Sequence, residues 1–269
     1  MCKVLEVSKS GYYNWIRNGG YLTKPATILL TERIRVLFNQ SKKRFGSPRV
    51  YQKLKSEGFK VCKTTVEKIM KEQGLVARKR KRFISTTNSN HSNTIAPNIL
   101  GRDFTASRRG EVLLSDITYI PMPNSQFVYL CVIMDLASRE IVGWKLSDHI
   151  DTDLVSDAFK NAIITLGSVI EGGVFHSDQG VQYTAHSFVN LVTKAGMRQS
   201  MSRRGQCWDN APMESFFSSL KTELDNVGGF QSFDEANSSL FDYIEIFYNR
   251  DRPHSGIGGL SPANFLEVV

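Results

Sequence analysis

The sequence predicts an α/β protein in which a mixed sheet of five strands is covered by helices and preceded by an all-α domain. Between residues 111 and 227, short apolar runs alternate with helical periodicity in the order β-β-β-α-β-α-β-α. This order is typical of a layered α/β domain. Residues 26–76 contain only helical periodicity, interrupted by glycine turns. The chain therefore predicts two structurally different domains.

The first 76 residues divide into a short segment and a helical domain. Residues 1–25 predict one aromatic-rich helix, which is too short to form a domain. Residues 26–76 predict three helices, and the glycine turn between the last two matches a helix-turn-helix motif. In that motif the start of the last helix faces DNA bases, and the residues there are Lys63, Thr64, Thr65 and Lys68. The alternative is a small helical bundle with a solvated basic face.

Basic residues are concentrated in the first part of the chain. Residues 1–110 hold 24 Lys and Arg against 6 Asp and Glu, a net charge of +18, whereas residues 111–269 carry −10. Residues 77–110 are rich in Ser, Thr and Asn and predict an unstructured linker. Five adjacent cations near its start are expected to bind phosphate: Arg78, Lys79, Arg80, Lys81 and Arg82. The asymmetry predicts a nucleic-acid-binding arm, with a solvated basic tail as the alternative.

Hydropathy and cysteine usage argue against several other classes of protein. No apolar run approaches the roughly 20 residues that span a bilayer, and the N-terminus lacks a secretory hydrophobic region. The 4 cysteines lie far apart, form no Cys-x-x-Cys pair and complete no zinc pattern with the 5 histidines. The sequence therefore favours reduced thiols in a cytosolic protein.

The predicted core, residues 111–227, begins with an antiparallel meander of three strands. Strands are expected at 112–122, 127–134, 140–146, 173–178 and 197–201, and helices at 151–166, 185–195 and 212–224. Ser47 and Thr184 are the expected N-caps of the helices that follow them. Residues 228–269 predict a C-terminal helical extension with a long helix over 232–248.

Three carboxylates lie where the sequence otherwise predicts buried core. Asp116 interrupts the first apolar strand, Asp178 ends the fourth, and Glu214 lies in the first turn of a helix announced by Pro212. Buried carboxylates are costly without a partner, and a divalent metal ion accepts several at once. Two such ions can promote phosphodiester displacement. The alternatives are that Asp116 is a strand residue facing solvent, that Asp178 is a turn residue, and that Glu214 is an acid favoured at the start of a helix. Asp135 is a rival metal ligand, but its surrounding sequence fits a turn better.

Five motifs, taken in order along the chain, resemble a known family. They are Ser115–Ile120, His176–Gly180, Ser200–Arg203, Asp209–Phe217 and the polar turn Tyr248–Ser255. Nearly the whole chain resembles bacterial insertion-sequence transposases of the Asp-Asp-Glu class, which have a retroviral-integrase-like core. More narrowly, it resembles the product of the second reading frame of copy-out–paste-in elements. The resemblance implies a ribonuclease-H-like fold and cleavage and transfer of DNA strands.

The resemblance also implies roles for particular side chains. Asp116, Asp178 and Glu214 are expected to ligate two Mg²⁺ or Mn²⁺ ions and so to be the catalytic triad. Further DNA contacts are expected from His176, Arg203, Arg204, Asn210 and Lys221. Lys221 lies two helical turns after Glu214 and therefore on the same helix face, although a solvated lysine is the alternative.

The expected partners follow from the same resemblance. They are the terminal inverted repeats and target duplex, further copies of this chain on DNA, and a first-reading-frame protein or its frameshift fusion. No membrane partner is expected, and the implied location is the bacterial cytosol near the nucleoid. A catalytically silent or domesticated DNA-binding regulator is the main alternative, and it predicts a damaged triad. A different metal nuclease on the same fold does not account for the helix-turn-helix or the basic linker.

Overall fold

The computed structural model describes residues 2–17, 25–78, 94–123, 126–224 and 229–268. The chain divides into two compact units, Met1–Ala77 and Arg78–Val269. Four of the predicted phosphate-binding residues lie outside the described ranges: Lys79, Arg80, Lys81 and Arg82. Within the described ranges, no helix is long and apolar enough to cross a membrane.

The described part of the first unit is helical. It contains α1 Lys9–Arg17, α2 Pro25–Gln40, α3 Ser47–Ser56 and α4 Lys63–Glu72. The apolar faces of α3, α4 and the second half of α2 are buried, with Ile34, Val50 and Val66 fully inaccessible, whereas Ile28 and Leu29 near the start of α2 are exposed. Gly58 turns the chain between α3 and α4 at φ +84°, a conformation that residues with a Cβ rarely adopt. The predicted helix-turn-helix connection is therefore present.

The N-cap predicted for α3 is wrong by one residue. The helix begins at Ser47 itself, and Gly46 occupies the cap position in an extended conformation. The Ser47 hydroxyl lies 3.5 Å from a carboxylate oxygen of Glu67 on α4. Pro48 in the first turn already fixes the start of the helix, so no side-chain cap is needed there.

A five-stranded sheet runs through the described part of the second unit. Its strands are β1 Val112–Pro121, β2 Phe127–Asp135, β3 Ile141–Ser147, β4 Val174–Ser177 and β5 Arg198–Met201. The order across the sheet is β3-β2-β1-β4-β5. The first three strands are antiparallel, whereas β4 pairs parallel to β1 and β5 parallel to β4. The predicted meander and mixed five-stranded sheet are confirmed.

Helices cover the sheet and enclose an aromatic core. They include α5 Thr152–Leu166, α6 Val181–Thr184, α7 His186–Lys194 and α8 Ala211–Glu223. Four buried rings pack with centroids 5.1–6.2 Å apart: Phe159, Phe175, Tyr183 and Phe188. Gly143 lets α5 lie directly on β3, because a Cβ there would meet the Ala162 nitrogen at 2.7 Å. The core thus forms on the α5 side of the sheet.

The predicted cap of α7 is also wrong. Thr184 ends the short helix α6, and its hydroxyl donates to the Val181 carbonyl at 3.0 Å. Ala185 takes the cap position of α7 without a side-chain bond. The sequence did not indicate the extra helical turn because four residues show no periodicity.

The C-terminal segment contains α9 Phe233–Phe241 and α10 Pro262–Leu266. Helical periodicity predicts a single helix over 232–248, but the last part is a π-helix, Asp242–Tyr248. Tyr243 and Ile244 of this turn are fully buried. π-Helical turns are rare and often lie at functional sites.

Part of the predicted linker is folded against the sheet. The backbone amides of Ile99 and Leu100 donate to the Ser200 hydroxyl on β5 at 2.9 and 3.3 Å. Leu100 is only 8% exposed. Composition alone predicts an unstructured segment here, but these bonds satisfy its backbone and fix it on the core.

Candidate active site

Asp116 lies in the middle of β1, opposite Val132 of β2. Its side chain keeps part of its surface accessible. Desolvation by the surrounding protein raises its pKa well above the usual range, and the charges of Asp178 and then of Glu214 raise it further. The charges of Asp178 and Glu214 therefore act on Asp116, although the three acids are separated by up to 98 positions in the sequence.

Asp178 and Glu214 are placed by two different elements. Asp178 follows the end of β4, which pairs with β1, and its Oδ1 accepts a hydrogen bond from the Gly180 amide at 3.0 Å. Glu214 lies in the first turn of α8, where the helix dipole favours a negative charge. Both side chains are partly exposed to solvent.

A hydrogen-bond network links β1, β4 and β5 to the residues that precede α8. His176 of β4 is fully buried, and its ring nitrogens bond to the hydroxyls of Ser200 and Ser202 and to the Asp209 carbonyl oxygen. Burial lowers the pKa of His176 to about 4, so the ring is neutral at pH 7. Asn210 donates from Nδ2 to the Ser115 carbonyl oxygen at 3.0 Å, next to Asp116.

The structure contradicts the prediction that His176 contacts DNA. Two-residue spacing predicts that its side chain shares a strand face with Asp178, although β4 ends at Ser177. That face is covered at His176 by the loop that leads into α8, because the Asp209 carbonyl lies 3.0 Å from Nε2. Asn210 is also buried, although its Oδ1 has no hydrogen-bond partner among the described residues. Its predicted DNA contact stays a prediction.

The donor set fits a divalent cation in its chemistry. Carboxylate oxygens are the ligands that Mg²⁺ and Mn²⁺ prefer, and a cation would relieve the repulsion that raises the pKa of Asp116. Among the described residues, however, no group of three or more His, Cys, Asp or Glu side chains is arranged to hold a metal ion.

Lys221 lies on the same helix as Glu214, close to Asp116. Its Nζ stands 4.8 Å from the centre of the Tyr119 ring, which is in cation–π range. Partial burial lowers the pKa of Lys221, while the nearby charge of Asp116 opposes that effect. The charge of Asp116 therefore acts on Lys221, and the predicted contact of Lys221 with DNA stays a prediction. The contact with Tyr119 could not be predicted from the sequence.

Arg203 makes an internal ion pair that the sequence did not indicate. Its guanidinium donates from Nε to Asp209 Oδ2 and from Nη2 to Oδ1, both at 2.9 Å, while 59% of the side chain stays exposed. Arg102 donates to the same carboxylate at 2.6 Å. These arginines, Arg203 before Arg102, hold the pKa of Asp209 well below its usual range. Arg204 is exposed.

The predicted base-reading residues lie at the start of α4. Lys63, Thr64 and Lys68 are exposed, and Thr65 is half-buried. Lys63 and Lys68 form solvent-exposed ion pairs with Glu67 and Glu72 on the same helix, at 3.6 and 3.9 Å. Exposed pairs of this kind are weak and leave the lysines available to phosphate. Their contact with DNA stays a prediction.

Asp135 and Arg78 have contacts inside the protein. The carboxylate of Asp135 accepts from the Gly110 and Ser138 amides and from the Ser138 hydroxyl, so it is the turn acid that the sequence predicts. Arg78 lies 3.4 Å from the carbonyl oxygen of Glu223, at the end of α8. Its predicted phosphate contact stays a prediction.

Comparison with known proteins gives matches along both units. Residues 106–207 and residues 195–262 each match a family described as Integrase core domain, and residues 27–83 match a family described as HTH-like domain. The chain is 36% identical over 267 residues to the insertion element IS600 uncharacterized 31 kDa protein of Shigella sonnei, covering 99% of this chain and 97% of that protein.

A second relative carries a functional name. The chain is 34% identical over 267 residues to transposase InsF for insertion sequence IS3A of Escherichia coli strain K12, covering 98% of this chain and 92% of that protein. Among solved structures, it is similar to the catalytic core domain of HTLV-2 integrase in complex with magnesium. That likeness covers 60% of this chain and 99% of the other, at 14% identity and a TM-score of 0.45.

The sheet order and the matched domains together define an integrase-core protein with a ribonuclease-H-like fold. With relatives of this identity over nearly its whole length, the chain belongs to the insertion-sequence transposases related to those of IS3. The resemblance seen in the five motifs is thereby confirmed, and so is the helix-turn-helix-like domain.

Proposed function

We propose that this chain cleaves the ends of its insertion sequence and joins the resulting 3′-hydroxyl to DNA, with Asp116, Asp178 and Glu214 as the catalytic acids. The observation that carries this proposal is that Asp116 is a desolvated strand carboxylate on which the charges of Asp178 and Glu214 act, so that burial first and then these charges raise its pKa. Three neighbouring acids repel each other, so the arrangement favours a cation. The integrase-core match and the relatives named transposase support the same chemistry.

The three acids would hold two Mg²⁺ or Mn²⁺ ions, which supply Lewis acidity and neutralise charge on the reacting phosphate. The other side chains bind and orient the DNA. The Lys221 ammonium, beside Asp116, is placed to hold a phosphate oxygen at the element end. Tyr119 keeps that ammonium close to the site through the face of its ring. The His176 and Asn210 bonds fix the relative positions of β1, β4 and the start of α8.

The proposed reaction is a pair of phosphodiester exchanges. In the first, a water oxygen forms a bond to phosphorus at the element end, the P–O3′ bond breaks, and the leaving oxygen takes up a proton to become a 3′-hydroxyl. In the second, that hydroxyl loses its proton, its oxygen bonds to another phosphorus, a second P–O3′ bond breaks, and the leaving 3′-oxygen takes up a proton. One P–O bond forms for each that breaks, so the reaction needs no external energy source and no covalent protein–DNA intermediate.

The helix-turn-helix unit is proposed to bind the terminal inverted repeats. Lys63, Thr64 and Lys68 are exposed at the start of α4, where this motif presents its base-reading side chains. Arg78 and the basic residues that follow it add sequence-independent affinity for phosphate. Strand transfer involves two DNA ends, so the proposed active form contains more than one copy of the chain. A first-reading-frame protein, or its fusion to this chain, remains a proposed partner.

The test is an oligonucleotide assay with a labelled element end and a target duplex. Wild-type protein is expected to give a cleaved end and a longer joined product in Mg²⁺, and neither product in EDTA. Asp116→Asn, Asp178→Asn and Glu214→Gln should each lower the rate by several orders of magnitude, because each removes a negative charge from the site.

The matched control is Asp157→Asn, which removes an exposed acid on α5 that pairs with Lys145 and Lys160. It should cleave and join like the wild type. Full activity of Glu214→Gln would refute the assigned triad. Cleavage without any joined product would instead point to a nuclease.

A further inference from the structure

The polar turn Tyr248–Ser255 contains one of the five motifs, and the proposed chemistry assigns it no role. It follows the π-helix and lies beside α8, the helix that carries Glu214 and Lys221. Arg252 is 6% exposed and Glu223, near the end of α8, is 4% exposed. A motif that buries a charge pair against the catalytic helix needs an explanation beyond surface solvation.

The Arg252 guanidinium donates several hydrogen bonds to side chains of α8. Its Nε and Nη2 donate to the two carboxylate oxygens of Glu223, both at 3.0 Å, in a bidentate geometry. Nη2 also donates to the Ser219 hydroxyl at 2.8 Å. Ser219 and Glu223 are four residues apart, so one guanidinium spans a full turn of the helix.

Three contacts of Tyr243 and Tyr248 complete this attachment. The Tyr243 hydroxyl donates to Glu223 Oε2 at 3.0 Å. The Tyr248 ring packs edge-on against Phe216 of α8 with centroids 4.9 Å apart, and the Arg252 guanidinium lies 5.4 Å from the centre of the same ring. The segment therefore holds α8 near Glu214 and also at its last turn.

The turn is itself tied to the sheet. The Asn249 side chain accepts from the Ile141 amide and donates to the Ile141 carbonyl, both at 2.9 Å, at the start of β3. The same sheet carries Asp116 on β1. A continuous set of bonds thus runs from the sheet through the turn to the face of α8 that Arg252 contacts.

That face is opposite the catalytic one. At about 100° per residue, Lys221 lies within about 20° of Glu214 around the helix axis. Phe216, Ser219 and Glu223 lie about 200°, 140° and 180° from Glu214 on the same scale. The contacts therefore act on the back of α8 and fix its rotation about its own axis.

A small rotation of α8 would displace Glu214 substantially. A side-chain end lies about 6 Å from a helix axis, so a rotation of about 10° moves it by about 1 Å. Misplacement of a catalytic group by about 1 Å costs about 100-fold in rate. A rotation of α8 by about 10° is therefore expected to lower the catalytic rate about 100-fold.

We propose that Arg252 is a positioning residue: its bidentate pair with Glu223 fixes the rotation of α8 and so aligns Glu214 and Lys221 with Asp116. This inference rests on the proposed function, since it assumes that Glu214 is a catalytic acid. It assigns the polar turn Tyr248–Ser255 to the catalytic machinery without any contact to DNA.

The test compares full-length variants in the end-cleavage assay, with melting temperature measured in parallel. Arg252→Lys keeps the charge and loses the fork. Its kcat should fall about 100-fold, the Mg²⁺ concentration for half-maximal rate should rise several-fold, and KM for the DNA end should stay within about twofold. The control is Arg33→Lys, which makes the same change in a bidentate pair with Glu57 in the first unit and should leave all three quantities unchanged.

A second variant separates positioning from stability. The double substitution Glu223→Leu with Arg252→Met replaces the buried pair by apolar groups, which commonly preserves stability. It should melt near the wild-type temperature and still show the low kcat and raised Mg²⁺ requirement. Wild-type kcat and Mg²⁺ requirement in either folded variant would overturn the inference. If Glu214→Gln stays active, the triad itself is wrong and the inference falls with it; if only the Arg252 variants match the wild type, the inference alone is wrong.

Discussion

Substitution of Asp209 by Asn is expected to destabilise the second unit because it removes the centre of an ion-pair network. Asp209 is 1% exposed and accepts hydrogen bonds from Arg203, Arg102 and the Asn98 amide. Hydrogen bonds to charged groups contribute about 1.5–3 kcal/mol each. Both guanidiniums are partly exposed, at 59% and 42%, so they regain water when the pair is lost.

The expected cost is therefore about 2–3 kcal/mol, near the low end for two charge-assisted pairs. For a unit of about 190 residues, that corresponds to a fall in melting temperature of about 5–10 °C. The measurement is thermal unfolding of full-length wild type and Asp209→Asn, followed by circular dichroism. Asp157→Asn is the control, because its ion pairs are exposed and its melting temperature should change little.

The difference should also depend on pH with a defined sign. Arg203 and Arg102 hold the pKa of Asp209 well below its unfolded value near 4. The stabilisation is therefore fully present above about pH 4 and is lost as the pH falls through the lower pKa of the folded state. The two proteins should differ by a constant amount from pH 7 to pH 5 and converge below pH 4. Equal melting temperatures at pH 7, or a gap that persists unchanged in acid, would refute this account.

Three further predictions concern packing, DNA binding and thiol reactivity. Gly143→Ala should lower the free energy of unfolding by about 1–3 kcal/mol, because the new Cβ would lie 2.7 Å from the Ala162 nitrogen of α5. An unchanged chemical denaturation curve would contradict the close approach of α5 to β3. Lys221→Gln should weaken binding of end DNA and reduce the slope of log K against log salt by about one, whereas an unchanged slope would exclude a phosphate contact. Iodoacetamide at about pH 7.5 should label Cys62 well before Cys131, as measured by peptide mass spectrometry. The reason is that the Thr64 and Thr65 hydroxyls lower the pKa of Cys62 to about 7, whereas burial raises the pKa of Cys131 to about 12. Equal labelling of the two thiols would contradict these environments.

Local patterns in the sequence were sufficient for most of the fold. Short apolar runs predicted the bounds of β1, β2 and β3 to within about two residues, because most side chains of each strand are apolar and buried. The helical stripes of α2 and α5 were equally clear. The departure at Asp242, where the helix becomes a π-helix, could not be predicted because the same residues remain buried in either helix.

Long-range polar pairs were not accessible to the same reasoning. The predicted DNA contacts of His176 and Arg203 gave no indication that His176 is buried among hydroxyls or that Arg203 pairs with Asp209. Arg252 and Glu223 are 29 residues apart, and nothing in the periodicity of either segment indicates that they pair. Only the folded topology brings such groups together. A charged residue in a sequence is normally expected to be exposed, and this expectation fails where two opposite charges pair inside the protein.

The central claim is that Asp116, Asp178 and Glu214 form one site for divalent cations, and electron paramagnetic resonance of Mn²⁺ tests it most directly. Wild-type protein with end DNA should bind up to two Mn²⁺ ions at the site. Asp116→Asn, Asp178→Asn and Glu214→Gln should each bind fewer ions or bind them more weakly, while Asp157→Asn should match the wild type. If all three triad variants bind Mn²⁺ with wild-type number and affinity, these acids do not form the metal site and the proposed mechanism is wrong.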